Sequence, residues 1–152
     1  MTDAQLCGAS NDAIRSSWSR CERQYNLHRD ATHPILRLQA SEVATRHEAL
    51  IELSGGRHGI FRNLARIAAE AGQCLVITDK DGILVRLESG EAGPDWNGIA
   101  LGSVWDERLA GTNGVSMALS EGRDFTVRGG DNFYYRLKTF ACTAVPLRDA
   151  QN

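Results

Sequence analysis

An α+β domain is predicted by three observations. Apolar residues recur at helical spacing as far as Gly72. The period then changes at Cys74 to a short β-branched run, Cys74-Leu75-Val76-Ile77-Thr78, which meets the turn Asp79-Lys80-Asp81-Gly82 and a second run from Ile83 to Glu88. A further alternating stretch, Thr139 to Leu147, lies near the end. Helices first, then antiparallel elements with helical insertions, define the class.

Composition sets the outer limits. The chain has 152 residues and is 42% hydrophobic, which suits one soluble domain. A chain of this length buries roughly 70% of its unfolded surface. The net charge is −2 and the isoelectric point is about 6.1, so no basic face for nucleic acid is expected in this stretch. No apolar run approaches the ~20 residues of a membrane span, and Met1-Thr2-Asp3-Ala4-Gln5 is unlike a secretory signal. Cys7, Cys21, Cys74 and Cys142 are widely spaced and form no Cys-x-x-Cys pair, so reduced thiols and a cytoplasmic location are expected. His28, His33, His47 and His58 stand at no ligand spacing, and no metal or cofactor is expected.

Residues 1–10 read as a loose start, and residues 11–152 as the domain, with helices over 11–72 and a sheet and pocket region over 73–149. From Asn11 or Asp12, Ile14, Trp18, Cys21 and Tyr25 form a stripe along one helix face, with Arg15, Ser16, Arg20 and Arg23 solvated opposite. Ser41 starts a second helix that reaches Leu53. Gly55-Gly56 interrupts it, and Ile60, Leu64, Ile67 and Ala71 carry a third, ended by Gly72. The two β-branched runs about an Asp-Gly turn predict a hairpin. Residues 89–111, with Gly90, Gly93, Pro94, Asp95, Trp96, Gly98, Gly102, Trp105 and Asp106, read as a long binding loop or lid. Phe125-Thr126-Val127 reads as a strand, Gly129-Gly130-Asp131 as a turn, and Asn132 to Leu137 as a short helix.

One stretch organises the rest: Gly111-Thr112-Asn113-Gly114-Val115-Ser116-Met117-Ala118-Leu119. Thr112 or Asn113 can cap a helix. Val115, Ala118 and Leu119 lie on one helical face, and Glu121-Gly122 closes it. A helix start rich in glycine and small polar groups can face a ligand, because its free N–H groups point outward. Packing alone explains the same pattern.

These pieces, in this order, resemble bacterial transcriptional activators of the acetoin-catabolism regulator type. Ser17-Trp18-Ser19-Arg20-Cys21 is similar to their "SWxRC" element, Asp79 to Gly82 to a "D.dG" turn, Gly111 to Leu119 to "GTNaig.aL", and Phe133 with Cys142-Thr143-Ala144-Val145-Pro146-Leu147 to "hF…l.C.aaPi". The resemblance covers residues 14–150. It implies a GAF-type sensor domain: a central antiparallel sheet flanked by helices, with the N-terminal helices before the sheet and a pocket on the other side. Two departures stand out. Where the family often carries "EHF" this chain has Asp131-Asn132-Phe133, so no role of that histidine transfers. The family's domain also continues after Pro146-Leu147-Arg148-Asp149 with a turn and a strand, so the last strand is expected to be missing or cut away.

The resemblance implies a pocket walled by Trp96, Trp105, Thr112, Asn113, Phe125, Phe133, Tyr134, Tyr135 and Cys142. Its ligand would be a small metabolite, a catabolic substrate such as an amine or a small alcohol or ketone. Asp79, Asp95 and Asp106 near these aromatics make an amine cage one option; core filling is the alternative for each ring. The signal would pass to a C-terminal effector or DNA-binding module absent from this stretch, with DNA and the sigma-54 polymerase reached only through it. A homodimer through the Trp18 helix and the helix around Leu50 is expected. Two other classes remain. A thiol-dependent enzyme of the methionine sulfoxide reductase kind needs an accessible low-pKa thiolate, and Cys142 and Cys74 both sit in apolar strands. A dimerisation module alone is the blandest reading.

Overall fold

Helix α1 is Asp3–Arg23 and carries the first core contacts through Ile14, Ser17 and Cys21. The structure, a computed structural model, describes the backbone of residues 3–32, 34–53, 55, 58–88 and 98–148, and their side chains except at 3–10 and 58. The backbone of 3–10, expected as a loose start, is helical. Ala4, Gln5, Leu6 and Ala9 are good helix formers and outweigh the roughly 1 kcal/mol cost of Gly8. Asn26 ends the helix with φ 53°, and the Leu27 N–H reaches back to the Cys21 carbonyl at 2.9 Å.

The chain divides into two compact units. One unit joins Met1–Pro34 to Trp105–Arg148; the other is built on Ile35–Val104. α1 belongs to the unit with Trp105–Arg148, and the next two helices to the unit with the first hairpin.

In the first unit, α1 is followed across the chain by α4 (Glu107–Ala110), α5 (Gly114–Glu121), β3 (Phe125–Arg128) and β4 (Ala141–Ala144). β3 and β4 pair antiparallel, with Phe125 opposite Ala144 and Val127 opposite Cys142. α5 lies on both strands. Ile14, Met117, Ala118, Phe125 and Val127 form the core between them, with Ala13, Trp18 and Ala144 at its margin. The expected alternation near the end holds: Cys142 and Ala144 turn inward and Ala141, Thr143 and Val145 outward. The expected helix at 132–137 is shorter: single 3₁₀ turns form at Gly129–Asp131 and Tyr135–Leu137. Extended backbone at Asn132 and Tyr134 separates them.

In the second unit, α2 (Ala40–Leu53) packs on β2 (Leu84–Glu88), and α3 (His58–Glu70) on β1 (Leu75–Thr78). β1 and β2 form the predicted hairpin, Leu75 opposite Glu88 and Ile77 opposite Arg86. Its turn is built by Asp79, whose Oδ1 accepts the N–H groups of Asp81 and Ile83, while Gly82 takes φ 74°. The core is Phe61, Ile77, Ile83, Val85 and Val104. Residues 98–104 pair with this hairpin through an Ile83–Val104 bridge, and Arg37 bridges Ser103. α3 keeps Phe61 inside and turns Ile60, Leu64 and Ile67 outward. The antiparallel strands thus lie as two pairs, one in each unit.

Met117 is fully buried between α1, α5 and β3. Met117→Ala is expected to lower unfolding stability by about 2–5 kcal/mol. Urea denaturation reads this as a lower midpoint at unchanged slope.

Candidate functional site

In the Gly111–Leu119 stretch, Asn113 and Ser116 turn their side chains inward onto nearby backbone. Asn113 is the N-cap of α5: its Oδ1 accepts the Ser116 N–H at 3.0 Å, and Ser116 Oγ accepts the Asn113 N–H at 3.0 Å, closing a reciprocal capping box. The amide of Asn113 also donates to the carbonyls of Gly111 at 2.8 Å and Trp105 at 3.1 Å. One side chain therefore ties the helix start to the end of the preceding loop. Gly122 closes α5 in the left-handed region, with φ 63°, its N–H on the Ala118 carbonyl.

Two glycines here are required by close approach. A Cβ on Gly111 would lie 2.7 Å from the Cβ of Phe133, at a backbone φ of 66°. A Cβ on Gly114 would lie 2.6 Å from Cys142 Sγ and 2.9 Å from the Cys142 carbonyl oxygen. The spacing of Gly111 and Gly114 thus lets the aromatic segment and β4 reach the backbone of the helix start.

Thr112, between them, joins the stretch to α1. Its hydroxyl lies 2.7 Å from Ser17 Oγ, with both residues fully buried. Ser17 Oγ donates to Glu107 Oε1. An ionised carboxylate only accepts, so the Ser17 proton points to Glu107 and Thr112 donates to Ser17. Cys21 Sγ, 3.7 Å from Thr112 Oγ1, ends the row. Arg20 grips the other side of Glu107 with Nε on Oε2 at 2.8 Å and Nη2 on Oε1 at 2.7 Å. This hydrogen bond raises the arginine's pKa further, against the opposing effect of desolvation. Arg20, expected on a solvated face, is thus bound to α4. Ser17 and Cys21 thus meet Thr112 of the Gly111–Leu119 element, while Ser17 and Arg20 share the Glu107 carboxylate.

The aromatic segment closes the same unit. Phe133 and Tyr134 are fully buried and meet edge-to-face, centroids 5.4 Å apart. The Phe133 N–H donates to the Thr112 carbonyl at 2.9 Å, and the Tyr134 hydroxyl to the Leu109 carbonyl at 3.2 Å. Asn132, at the position of the family histidine, is also buried. Its amide approaches the carbonyls of Gly129, Leu137 and Phe140 at 3.1, 3.2 and 3.3 Å.

Of the residues expected at the pocket, Trp96 lies outside the described ones. Trp105, Thr112, Asn113, Phe125, Phe133, Tyr134, Tyr135 and Cys142 all fall in the first unit. Trp105, Thr112, Asn113, Phe133 and Tyr134 gather about the helix start and α4. Phe125 instead belongs to the core with Ile14 and Met117, and Tyr135 is exposed. Asp79 binds Arg46 and shapes its own turn. Asp106 caps α4 through the Arg108 N–H. Asp95 lies outside the described residues. Burial pushes the thiols of Cys21, Cys74 and Cys142 up from their ordinary range. Ser17, Arg20 and Glu107 are not among the expected site residues. The spacing Ile14, Ser17, Cys21 does put Ser17 on the buried face, whereas Glu107 sits in what reads as loop.

Removing Glu107 strands Ser17 and the forked arginine together. Glu107→Ala is expected to cost about 2–3 kcal/mol, and Glu107→Gln, which keeps an acceptor for Ser17, about half of that. Chemical denaturation of the two variants measures the difference. Gly114→Ala, which forces Cys142 and its carbonyl aside, is expected to cost about 1–3 kcal/mol on the same scale.

Comparison with known proteins places these motifs in a family. The family described as "MimR, N-terminal domain" matches residues 2–152. The chain is 32% identical over 146 residues to the acetoin catabolism regulatory protein of Cupriavidus necator, covering 93% of this chain and 22% of that protein. It is 26% identical over 153 residues to the propane 2-monooxygenase operon transcriptional activator MimR of Mycolicibacterium smegmatis, covering 97% of this chain and 25% of that one. The chain therefore spans about a quarter of the length of these relatives. Its structure is similar to one in the crystal structure of the Escherichia coli DhaR(N)–DhaL complex, with a TM-score of 0.78 at 19% identity over 89% of this chain and 46% of that one. That likeness is one of fold, and the GAF-type α+β class stands with it. The kinship read from Ser17–Cys21 and Gly111–Leu119 holds: this chain belongs to the MimR N-terminal domain family, the regulatory N-terminal domains of transcriptional activators such as MimR.

Proposed function

We propose that this domain receives a small-molecule effector and passes the signal to a C-terminal effector or DNA-binding module outside this chain. The observation that carries the reading is the junction of the two family elements at Thr112, Ser17 and Glu107. Any rearrangement at the start of α5 is felt by α1 through that row of hydrogen bonds. Trp105, Thr112, Asn113, Phe133 and Tyr134 frame the receiving site, with Tyr135, Cys142 and Phe125 behind or beside them, and Trp96 stays in the proposed set by its place in the sequence. A ligand shifts two arrangements only by its differential affinity for them.

The relatives' names, which refer to acetoin catabolism and a propane 2-monooxygenase operon, favour a small alcohol or ketone. An amine fits less well, because the carboxylates of Asp79 and Asp106 are engaged within the chain. An enzymatic role through a thiol is disfavoured by the direction in which burial moves Cys142 and Cys74, since a nucleophilic thiolate needs a lowered pKa. A protein effector is a second reading, favoured by the structural neighbour, in which DhaR(N) is held in a complex with DhaL. A homodimer remains part of the proposal and is read by light scattering.

Thermal-shift titration with acetoin, acetone, 2-propanol, short diols and short amines tests the reading. A ligand at 100 times its Kd is expected to raise Tm by roughly 5–10 °C. No shift across the panel sinks the small-molecule reading, and Cys142-dependent turnover of methionine sulfoxide replaces it with an enzyme. Because Asn113 is bonded wholly to backbone, Asn113→Ala is expected to lower stability by about 1–2 kcal/mol. A loss of ligand response beyond that supports its place at the site.

A further inference from the structure

Outside the helix start, one side chain stands in a setting that resembles a ligand more than a surface residue. The guanidinium carbon of Arg29 lies 3.8 Å from the centroid of the Trp18 ring and 4.8 Å from that of Tyr135. Its Nε donates to the Phe133 carbonyl at 3.0 Å, and its Nη2 to the carbonyls of Gly130 at 3.1 Å and Asn132 at 3.4 Å. Two π faces and three carbonyl oxygens make a complete recognition set for a flat, forked cation.

We propose that the Trp18–Tyr135 cage is a guanidinium-binding site whose occupant is the chain's own Arg29, a tethered ligand that latches residues 24–32 onto the 129–135 segment. Two features support it. First, the Trp18 face and the carbonyl-bearing turn are held independently of the occupant. The Trp18 indole N–H donates to the Asp131 carbonyl at 3.0 Å, and Asn132 holds the carbonyl-bearing turn through Gly129, Leu137 and Phe140. The Trp18 face and the carbonyl-bearing turn are therefore preorganised, and emptying the cage leaves them in place. Second, the tether is closed from both ends: the Tyr135 N–H donates to the Arg29 carbonyl at 2.9 Å while the Arg29 side chain binds the segment that leads to Tyr135. Tethering gives Arg29 a high local concentration against any free cation. Tyr135 is exposed, so the cage opens to solvent once Arg29 is removed.

The test uses the full chain with Arg29→Ala, and ethylguanidinium as the probe. The Trp18 indole resonance, assigned with Trp18→Phe, is followed by NMR. A saturable shift in Arg29→Ala, none in the parent at the same concentrations, and a response to ethylammonium at least several-fold weaker are the results expected. Hydrogen exchange at the Tyr135 amide is expected to speed up roughly tenfold in Arg29→Ala and to stay fast when ethylguanidinium fills the cage, because the free cation carries no tether. Equal responses in parent and variant, or no saturable binding in the variant, overturn the site. Tyr135→Leu, at an exposed position, gives a second arm. It is expected to expose the 135 amide while leaving the amides of β1 and β2 unchanged, and unaltered protection at 135 overturns the latch.

Discussion

The hydrogen-bonded row from Cys21 through Thr112 and Ser17 to Glu107 and Arg20 sets the geometry of the first unit. Its members come from places far apart in the chain, so the row fixes which face of α1 meets α4 and the start of α5. Two buried hydroxyls without partners would each carry a desolvation cost of about 1–3 kcal/mol. Meeting each other and a carboxylate removes that cost only in one arrangement. The apolar core beneath, with Ile14, Met117, Phe125 and Val127, is held by burial, which is less directional than this row. The hydrophobic residues supply most of the driving force, and the polar ones select the register.

The glycines act in the same direction. Because Gly111 and Gly114 lack a Cβ, Phe133 and Cys142 come against main chain rather than side chain. The helix start is then enclosed by α4, the aromatic segment and β4 together, which explains why its polar groups turn to backbone partners. Asn113 illustrates the result: a residue of a type suited to meeting ligands has every polar atom bonded to its own chain. On the proposed reading, an effector would act by moving the whole helix start, because the Asn113 side chain is already committed to backbone.

Much of this was legible in the residues. The Asp79–Gly82 turn announces its hairpin because Asp and Gly there satisfy specific dihedral and hydrogen-bond demands. Of the stripe Ile14, Trp18, Cys21 and Tyr25, the first three mark the inner face of α1, and Tyr25 lies past the helix end. The residues offer Thr112 or Asn113 as the cap of α5, and the structure gives the role to Asn113 with Ser116 as its partner. What escaped was long-range or polar. Arg20 reads as solvated because a lone sequence does not show a carboxylate from residue 107 arriving beside it. α4 is a single turn within a glycine-rich stretch, too short for periodicity to show. The grouping of α1 with Trp105–Arg148 depends on contacts between distant segments, which local patterns do not encode.

Asn132 carries a consequence of a different kind. In the resemblance this position belongs to a histidine, whose imidazole changes charge between pH 5 and 8. Here the carbonyls of Gly129, Leu137 and Phe140 face a neutral amide that has no proton to gain or lose in that range. The turn that shapes the aromatic segment is thereby deaf to acidity. The local shape of that turn rests on amide and carbonyl groups, whose charge stays the same across that whole span of acidity.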